Sequence, residues 1–233
     1  GVTVLIMMKL LQKLKIENYK FDSVERFHLE AEVTKQAYKI KEEHLGDPDF
    51  IDLNLDKILS EETVDEIANK ISLNNCSEVG DLNIPNHPET VYLTVVDKDL
   101  NTVSKINSVC YAFGSAIKTE KTGIILHNRG TNFRVEEDHP NCIEGLKRPL
   151  HTIIPGMVID KNGDQLLSYG VMGGQYQPVG QAHVLNSVLD FNLSPQQAIS
   201  FPRAFHFNNI YKLERTVSKD VMQGLKEIGH NVE

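Results

Sequence analysis

The sequence contains no tryptophan, few cysteines and no long apolar run. The three cysteines, Cys76, Cys110 and Cys142, include no Cys-x-x-Cys pair, so they predict neither a disulfide framework nor a zinc site. Such a sparse set of thiols favours a reducing compartment, and we therefore expect a cytoplasmic protein. No apolar stretch approaches the roughly 18 residues that a membrane-spanning helix needs, so we expect no membrane partner.

Positive charge is also scarce. The chain has 24 Lys and Arg against 32 Asp and Glu, which gives a formal net charge of −8. A nucleic-acid-binding protein needs a basic face that displaces phosphate counterions, so this balance argues against that class. Hydrophobic residues make up 40% and charged residues 24% of the 233 residues. These values are typical of a folded protein with one large domain or two small ones.

The first ninety residues have the pattern of helices. We predict helices over residues 3–14, 23–45 and 60–71. Asp22 and Glu25 have the spacing of a capping box that opens the second helix, and Gly46 is expected to end it in a left-handed conformation. Residues 72–89 are polar, rich in Asn and Pro and without a clear period, which predicts a mobile linker.

After this segment the pattern changes to strands. We predict strands over residues 90–96, 102–109, 123–127, 152–160 and 166–172, and helices over 180–191, from Pro195 onward and over 218–228. Turn residues between the first two strands predict a hairpin, and Asn162 with Gly163 predicts another. This order indicates a layered α+β fold. We divide the chain into a helical region, residues 1–89, and a region of strands with flanking helices, residues 90–233.

The usual signatures of metal and nucleotide sites are missing. The nine histidines include no His-Glu-x-x-His motif, so we expect no metal ion. The segment from Gly170 to Gly174 follows a strand, but it lacks the third glycine of a dinucleotide motif and the lysine of a P-loop, so we expect no cofactor. Gly173 and Gly174 either form a plain turn or present backbone N–H groups to the oxyanion of a reacting carbonyl.

The most informative place is the junction between Glu89 and Thr90. A polar segment leads there directly into a strand that opens with threonine. A threonine hydroxyl is a poor nucleophile unless a base lies beside it. If the peptide bond before Thr90 is cleaved, the new α-amine, with a reference pKa near 8, supplies that base on the same residue. Threonine is also common at the start of strands, so the residues alone leave both interpretations open.

Several segments resemble the gamma-glutamyltranspeptidase family. The stretch TVYLTVVDKDLNTVSKINSVCYAFGSAI is similar to the start of that family's small subunit, as are GIILHNRGTNF, the long stretch KRPLHTIIPGMVIDKNGDQLLSYGVMGGQYQPVGQAHVLNSVLDF, and PRAFHF. Upstream, SVERFHLEAEVTKQAYKIKEEHLGDPDF resembles the helical end of the large subunit. The resemblance covers nearly the whole chain and keeps the motifs in order.

The resemblance implies an N-terminal nucleophile hydrolase fold, a four-layer αββα sandwich, of which this chain holds an incomplete part. It implies a precursor that cleaves itself before Thr90, whose hydroxyl then transfers a γ-glutamyl or similar acyl group to water or an amine, with its α-amine as base and without a cofactor. Other positions that match the family's site are Thr94, Ser108, His151 and Thr152 near the substrate, and Gly173 and Gly174 as the oxyanion hole.

Three positions depart from the family's pattern. Asn132 replaces an aspartate that pairs with the substrate's α-ammonium, and an amide cannot supply that charge. Cys110 replaces an asparagine, and Arg129 adds a cation. These features resemble a branch of transferase-like and cephalosporin acylase-like proteins. Arg129 either pairs with a second carboxylate on the acyl group, as on a glutaryl chain, or only orders its loop.

Other interpretations stay open at this point. The family's large subunit extends further upstream and its small subunit further downstream, so we expect a longer protein, and we expect this segment alone to be poorly soluble or inactive because strand edges would be open. The upstream portion would be its partner. A catalytically silent binding or scaffold relative is a second hypothesis, and a periplasmic amidase is a third, since any signal peptide would lie upstream of Gly1.

Overall fold

The computed structural model describes residues 1–79 and 89–233. Its helices are α1 (Val2–Lys13), α2 (Val24–His44), α3 (Leu55–Ile58), α4 (Glu61–Ala68), α5 (Gln177–Leu189), α6 (Pro195–Ser200) and α7 (Lys219–Ile228). Its strands are β1 (Glu89–Val96), β2 (Thr102–Cys110), β3 (Gly156–Ile159), β4 (Gln165–Tyr169), β5 (Ala204–Phe207) and β6 (Ile210–Leu213). The described strands pair as three antiparallel hairpins, β1–β2, β3–β4 and β5–β6. Helices and strands are thus both present, as the α+β prediction requires.

The chain forms two compact units that alternate along the sequence. The helical unit contains residues 2–45, 52–79 and 182–233, and the strand unit contains residues 46–51 and 89–181. The division of the chain into residues 1–89 and 90–233 stays a prediction. Among the described residues, no helix combines the length and the apolar character that crossing a membrane requires.

The core of the helical unit joins the two ends of the chain. Phe27 and Ala31 on α2 pack with Tyr211 on β6 and with Val221 and Leu225 on α7, and all five are buried. The Tyr211 hydroxyl donates a hydrogen bond of 2.8 Å to the Phe27 carbonyl. Because the polar tip of this ring has a partner, the tyrosine can be fully buried at little cost.

The strand unit is built on two hairpins with acidic turns. In the β1–β2 turn, Asp97 accepts hydrogen bonds from the backbone N–H groups of Asp99 and Asn101, both at 2.9 Å. In the β3–β4 turn, Asp160 accepts from the N–H groups of Asn162, at 2.8 Å, and Asp164, at 2.9 Å. Carboxylates stabilise such turns by bonding the backbone two residues on. Both predicted hairpins are confirmed.

Opposite faces of β1 differ in character. Thr90 is partly buried, whereas Val91, Leu93 and Val95 on the other face have exposed fractions of 57%, 45% and 55%. An apolar strip of this kind is typical of a surface that another element covers. The expected poor solubility of this segment alone stays a prediction.

Two predictions at the ends of helices are corrected. Ser23, not Asp22, caps α2, because the Ser23 hydroxyl accepts from the Arg26 N–H at 3.3 Å. Gly46 does not adopt the left-handed conformation that was expected of it. A Cβ atom at Gly46 would instead lie 2.3 Å from the Pro140 carbonyl oxygen, so close backbone packing requires this glycine. Ser60, Ser194 and Ser218 cap α4, α6 and α7, each accepting from a backbone N–H three residues on.

Several predicted strands are also corrected. Residues 123–127 form no strand and make only an isolated bridge between Lys118 and Ile125, and the strand expected over 152–160 is confined to β3. The β5–β6 hairpin was not predicted; its turn residues, Asn208 and Asn209, have φ of 48° and 58°. Of the predicted linker 72–89, residues 80–88 lie outside the described residues, and residues 72–79 contain no helix or strand.

Candidate active site

The peptide bond between Glu89 and Thr90 lies at the start of β1 and faces two hydroxyl groups. The Thr90 hydroxyl donates to the Glu89 carbonyl oxygen at 2.7 Å. The Ser108 hydroxyl, on β2, donates to the same oxygen at 2.7 Å. Two donors polarise this carbonyl, and one of them is the side chain that the sequence analysis predicts as the nucleophile.

An irregularity in the hairpin brings Ser108 to this position. Glu89 pairs with Cys110 and Val91 pairs with Asn107, so Thr90 faces two residues of β2 instead of one. Such a β-bulge re-aims side chains and is common beside active sites. Cys110 has φ of 81°, a left-handed conformation that is uncommon for a residue with a side chain. The sequence contained no signal for this bulge, because no glycine marks it.

A buried amide from another element also reaches the Thr90 hydroxyl. The Gln177 side chain, at the start of α5, is 0% exposed and lies 3.4 Å from Thr90 Oγ1. The hydrogen bonds are satisfied when the nitrogen and oxygen of this amide exchange places. The nitrogen then donates to the carbonyls of Thr152 at 2.8 Å and Val171 at 3.2 Å, and the oxygen faces the Thr90 hydroxyl. Sequence analysis missed Gln177, because several other polar residues lie in the same helix and nothing in the sequence distinguished this one.

Thr94 belongs to a hydroxyl network that is separate from the groups around Thr90. Thr94 donates to Ser168 Oγ at 2.8 Å, and the Tyr92 hydroxyl lies 2.9 Å from Ser168 Oγ and 3.0 Å from Ser104 Oγ. This network joins the β1–β2 hairpin to β4. Four residues of extended strand place Thr94 roughly 13 Å from Thr90, so its role in substrate binding stays a prediction.

Arg129 is buried beside Ser108. Its side chain is 2% exposed, Nη2 donates to the Ser108 carbonyl at 3.4 Å, and Nη1 has no hydrogen-bond partner among the described residues. Burial lowers the pKa of Arg129, and burial likewise raises the pKa of the neighbouring Cys110 thiol despite the opposing effect of the guanidinium. Asn132, 9% exposed, directs its amide nitrogen to the Leu150 carbonyl at 3.3 Å. The structure therefore brings together three positions that depart from the family's pattern.

His151 and Thr152 lie next to this group. Thr152 is buried and its carbonyl is the acceptor for Gln177. Desolvation lowers the pKa of His151, and the charges of Arg129 and His127 lower it further, so the imidazole is neutral at neutral pH. Neither His151 nor Thr152 places a negative charge near the Arg129 guanidinium.

The glycine pair forms the turn that leads into α5. Gly173 has φ of 115° and Gly174 has φ of 56°, both in the region that favours glycine. The Gly173 carbonyl accepts from the Tyr176 N–H at 3.0 Å, so the turn is closed before the helix begins. The role of these two N–H groups as an oxyanion hole stays a prediction.

One group of described side chains has the composition of a metal site. Ligand atoms of His28, Glu32 and His230, all buried in the helical unit, lie within 4.8 Å of one another. The Lys35 ammonium already lies 2.6 Å from the Glu32 carboxylate, and His28 Nδ1 lies 2.7 Å from His230 Nε2. The carboxylate and the two imidazoles therefore already have partners within the protein. A metal cation at this place would also be repelled by the Lys35 ammonium.

Comparison with known proteins identifies relatives over the whole chain. The family model described as gamma-glutamyltranspeptidase matches residues 1–233. The glutathione hydrolase-like YwrD proenzyme of Bacillus subtilis is 34% identical over 245 residues, which cover 100% of this chain and 45% of that protein. The oxamate amidohydrolase proenzyme of Klebsiella pneumoniae is 29% identical over 239 residues, covering 100% and 44%. The solved structure of a cephalosporin acylase from Bacillus halodurans has a TM-score of 0.85 and 32% identity, covering 99% and 42%.

The fold is that of the N-terminal nucleophile hydrolases. The chain belongs to the gamma-glutamyltranspeptidase family, because the family model matches all of its residues. The chain spans less than half the length of the relatives that it matches. The prediction that it holds part of the family's fold is confirmed.

Proposed function

We propose that the protein containing this chain cleaves itself between Glu89 and Thr90 and then acts as an acyltransferase or amidohydrolase with Thr90 as its nucleophile. The observation that carries this proposal is the pair of 2.7 Å hydrogen bonds from Thr90 and Ser108 to the Glu89 carbonyl. Family membership and the acylase-like fold support it.

Self-cleavage begins at that carbonyl. The Thr90 oxygen attacks the carbonyl carbon of Glu89, and the Ser108 hydroxyl stabilises the negative charge that develops on the oxygen. The C–N bond then breaks, and the Thr90 nitrogen leaves as an amine that has gained the hydroxyl proton. Water opens the resulting ester, which gives a Glu89 carboxylate and a free Thr90 α-amine.

Turnover uses the new terminus. The α-amine accepts the Thr90 hydroxyl proton, directly or through a water, while the oxygen attacks the donor's amide carbonyl. The leaving amine takes the proton, and water or an acceptor amine later releases the acyl group. Gln177 orients the hydroxyl from the buried side, and Gly173 and Gly174 are proposed to bind the oxyanion. The donor is a γ-glutamyl compound or a related acyl amide.

The test uses the whole gene product and intact-mass analysis. We expect two chains, the second beginning at Thr90, for the parent protein, and one uncleaved and inactive chain for Thr90→Ala. Thr90→Ser should retain part of both activities, because it keeps the hydroxyl and the amine. Thr216→Ala, at an exposed threonine of the helical unit, is the matched control. Cleavage of Thr90→Ala between residues 89 and 90 would overturn the proposal.

Ser108 can be tested in the same way. Loss of one oxyanion donor typically lowers a rate by about 10²–10³, so Ser108→Ala should slow self-cleavage by that factor, and Ser108→Thr should restore most of it. The time course of chain splitting after translation measures this. An unchanged rate in Ser108→Ala would remove the serine from the mechanism.

A further inference from the structure

A cysteine of the helical unit, which the proposed function does not use, lies between a buried cation and a histidine. Lys35 Nζ donates to Cys76 Sγ at 2.8 Å, and His230 Nδ1 lies 3.6 Å from the same sulfur. Lys35 is 3% and His230 is 4% exposed, whereas Cys76 is only partly buried. A partly exposed sulfur beside an ammonium group and an imidazole has the surroundings of a reactive thiol, not those of a structural one.

Hydrogen bonds hold the segment that carries this sulfur, although the segment forms no helix or strand. The Cys76 N–H donates to the Ile228 carbonyl at 3.0 Å, and the Ser77 N–H donates to the Glu32 carboxylate at 3.1 Å. Besides its bond to the sulfur, the Lys35 ammonium donates to Glu32 at 2.6 Å and to the Ser77 carbonyl at 2.9 Å. All three ammonium hydrogens are therefore used, and the sulfur and the nitrogen are held together from both sides.

A chain of two histidines gives the thiol a proton acceptor. His28 Nε2 lies 2.6 Å from the Ser72 carbonyl oxygen, which can only accept, so this nitrogen carries a proton and donates. In neutral His28 the other nitrogen, Nδ1, then accepts from His230 Nε2 at 2.7 Å. Burial, followed by the charge of Lys35, lowers the pKa of His230 to about 3, so this imidazole is neutral at neutral pH. Its remaining nitrogen, Nδ1, therefore accepts from the Cys76 thiol.

The sulfur also borders a cavity within the helical unit. The cavity has a volume of about 510 Å³. Ser77 contributes to its wall, and the Ser77 hydroxyl oxygen is buried and has no hydrogen-bond partner among the described residues. A buried hydroxyl without a partner calls for an explanation, and a small polar molecule held beside Cys76 supplies one. The polar side chains of the wall are those of Lys35, Cys76, Ser77, His206, Asn209 and Asn231.

We propose that Cys76 is a modification site at which hydrogen peroxide, or a small organic hydroperoxide, oxidises the thiol to a sulfenic acid. Among the described residues no second cysteine lines the cavity, so the geometry favours addition of oxygen over formation of a disulfide. The inference does not rest on the proposed function, because Cys76 belongs to the helical unit and Thr90 to the strand unit.

The chemical step uses the groups around the sulfur. The sulfur attacks one peroxide oxygen, so that an S–O bond forms while the O–O bond breaks. The sulfur loses two electrons and the peroxide gains them. The thiol proton passes through His230 to the leaving oxygen, which departs as water or as an alcohol. The Lys35 ammonium stabilises the negative charge that the sulfur and then the leaving oxygen carry during the transfer.

Cys142 provides a matched control within the same chain. It is partly buried like Cys76, but among the described residues its thiol donates only to the Ile143 carbonyl, at 3.7 Å. The whole gene product is treated with a stoichiometric amount of hydrogen peroxide, the sulfenic acid is trapped with dimedone, and mass spectrometry of the digest measures the oxidised fraction at both cysteines.

The expected result is a difference in rate between the two cysteines. Cys76 should be oxidised roughly 10- to 100-fold faster than Cys142, which is the size of effect of one charge-assisted hydrogen bond. Equal rates at the two cysteines, or a faster rate at Cys142, would overturn the inference. This comparison needs no variant, so it decides even where a variant fails to fold.

Two double variants then assign the difference to the ammonium group. Glu32→Gln with Lys35→Gln removes both members of the buried pair together, so neither charge is left alone, and the two cysteines should then react at similar rates. Glu43→Gln with Lys39→Gln removes an exposed pair of the same helix and should leave the difference unchanged. Undiminished oxidation of Cys76 after removal of the buried pair would refute the role of the ammonium group.

Discussion

The helical unit and the strand unit both bury positive charge, but only the helical unit neutralises it. Arg26, 0% exposed, donates to Glu30 at 2.7 Å, and its guanidinium lies 4.0 Å from the centre of the Phe21 ring. Lys35 lies 2.6 Å from the Glu32 carboxylate. Arg129 in the strand unit has no such partner among the described residues.

This difference separates the buried charges that carboxylates neutralise from one that, among the described residues, has no carboxylate partner. Burial acts to raise the pKa of Glu30, but Arg26 and His183 outweigh it, and the net pKa lies below its usual value. The carboxylate is therefore ionised and compensates Arg26. A protein that folds around paired charges and leaves one guanidinium unpaired gives up stability at that residue, which is common where a ligand binds.

The largest effect is expected from breaking a pair in the helical unit. Glu32→Gln leaves the Lys35 ammonium buried without its carboxylate, and loss of one partner of a buried pair typically costs about 3–5 kcal/mol. Urea unfolding measures the change. Glu62→Gln, at an exposed glutamate, is the control and should change stability by less than about 0.5 kcal/mol. A similarly small effect for Glu32→Gln would contradict the role assigned to the pair.

A smaller effect of opposite sign is expected in the strand unit. Arg129→Met replaces an unpaired buried cation with an apolar side chain of similar length, so the free energy of unfolding should be unchanged or higher by about 1 kcal/mol. The matched variant is Arg26→Met, which leaves the buried Glu30 carboxylate without its cation. Its free energy of unfolding should fall by about 3–5 kcal/mol. Equal losses in the two variants would make Arg129 a structural residue like Arg26.

The most gradual effect is expected from acid, because it grows as the pH falls. Burial, followed by the charge of Lys35, lowers the pKa of His206 to about 4, and the same two causes with His28 and His206 lower that of His230 to about 3. In the unfolded chain these histidines bind protons below about pH 6.5. Since the folded state does not, the helical unit should lose stability as the pH falls from about 6.5 toward 4.

The strand unit should respond to acid later. Hydrogen bonds from Asn101 hold the pKa of Asp97 below its usual value, and those from Asp164 and Asn162 do the same for Asp160. Both turns therefore keep their stabilisation until the pH falls below about 4.

Hydrogen exchange at pH 7 and pH 5 should show earlier loss of protection in α7 than in β1 and β2. His206→Asn should reduce the difference, and His44→Asn, at an exposed site, should not. Parallel loss in both units would refute this order.

Local signals were sufficient for many elements. Pro195 predicted the start of α6, and Asn162 with Gly163 predicted a turn that the structure contains. These predictions succeed because a cap or a tight turn is decided by neighbours within about four residues. The prediction of a strand over 123–127 was wrong, because residues with high β-propensity form a strand only where a partner strand is available.

The composition and order of residues by themselves determined that this protein folds as α+β, places Thr90 at the start of a strand and belongs to the gamma-glutamyltranspeptidase family. Tertiary structure alone decided which groups meet there: the bulge that turns Ser108 toward Glu89, the Gln177 amide from a helix 87 residues away, and the unpaired Arg129. The reason is physical. Hydrogen bonds across such separations depend on where the intervening chain is packed, and no local pattern of residues encodes that.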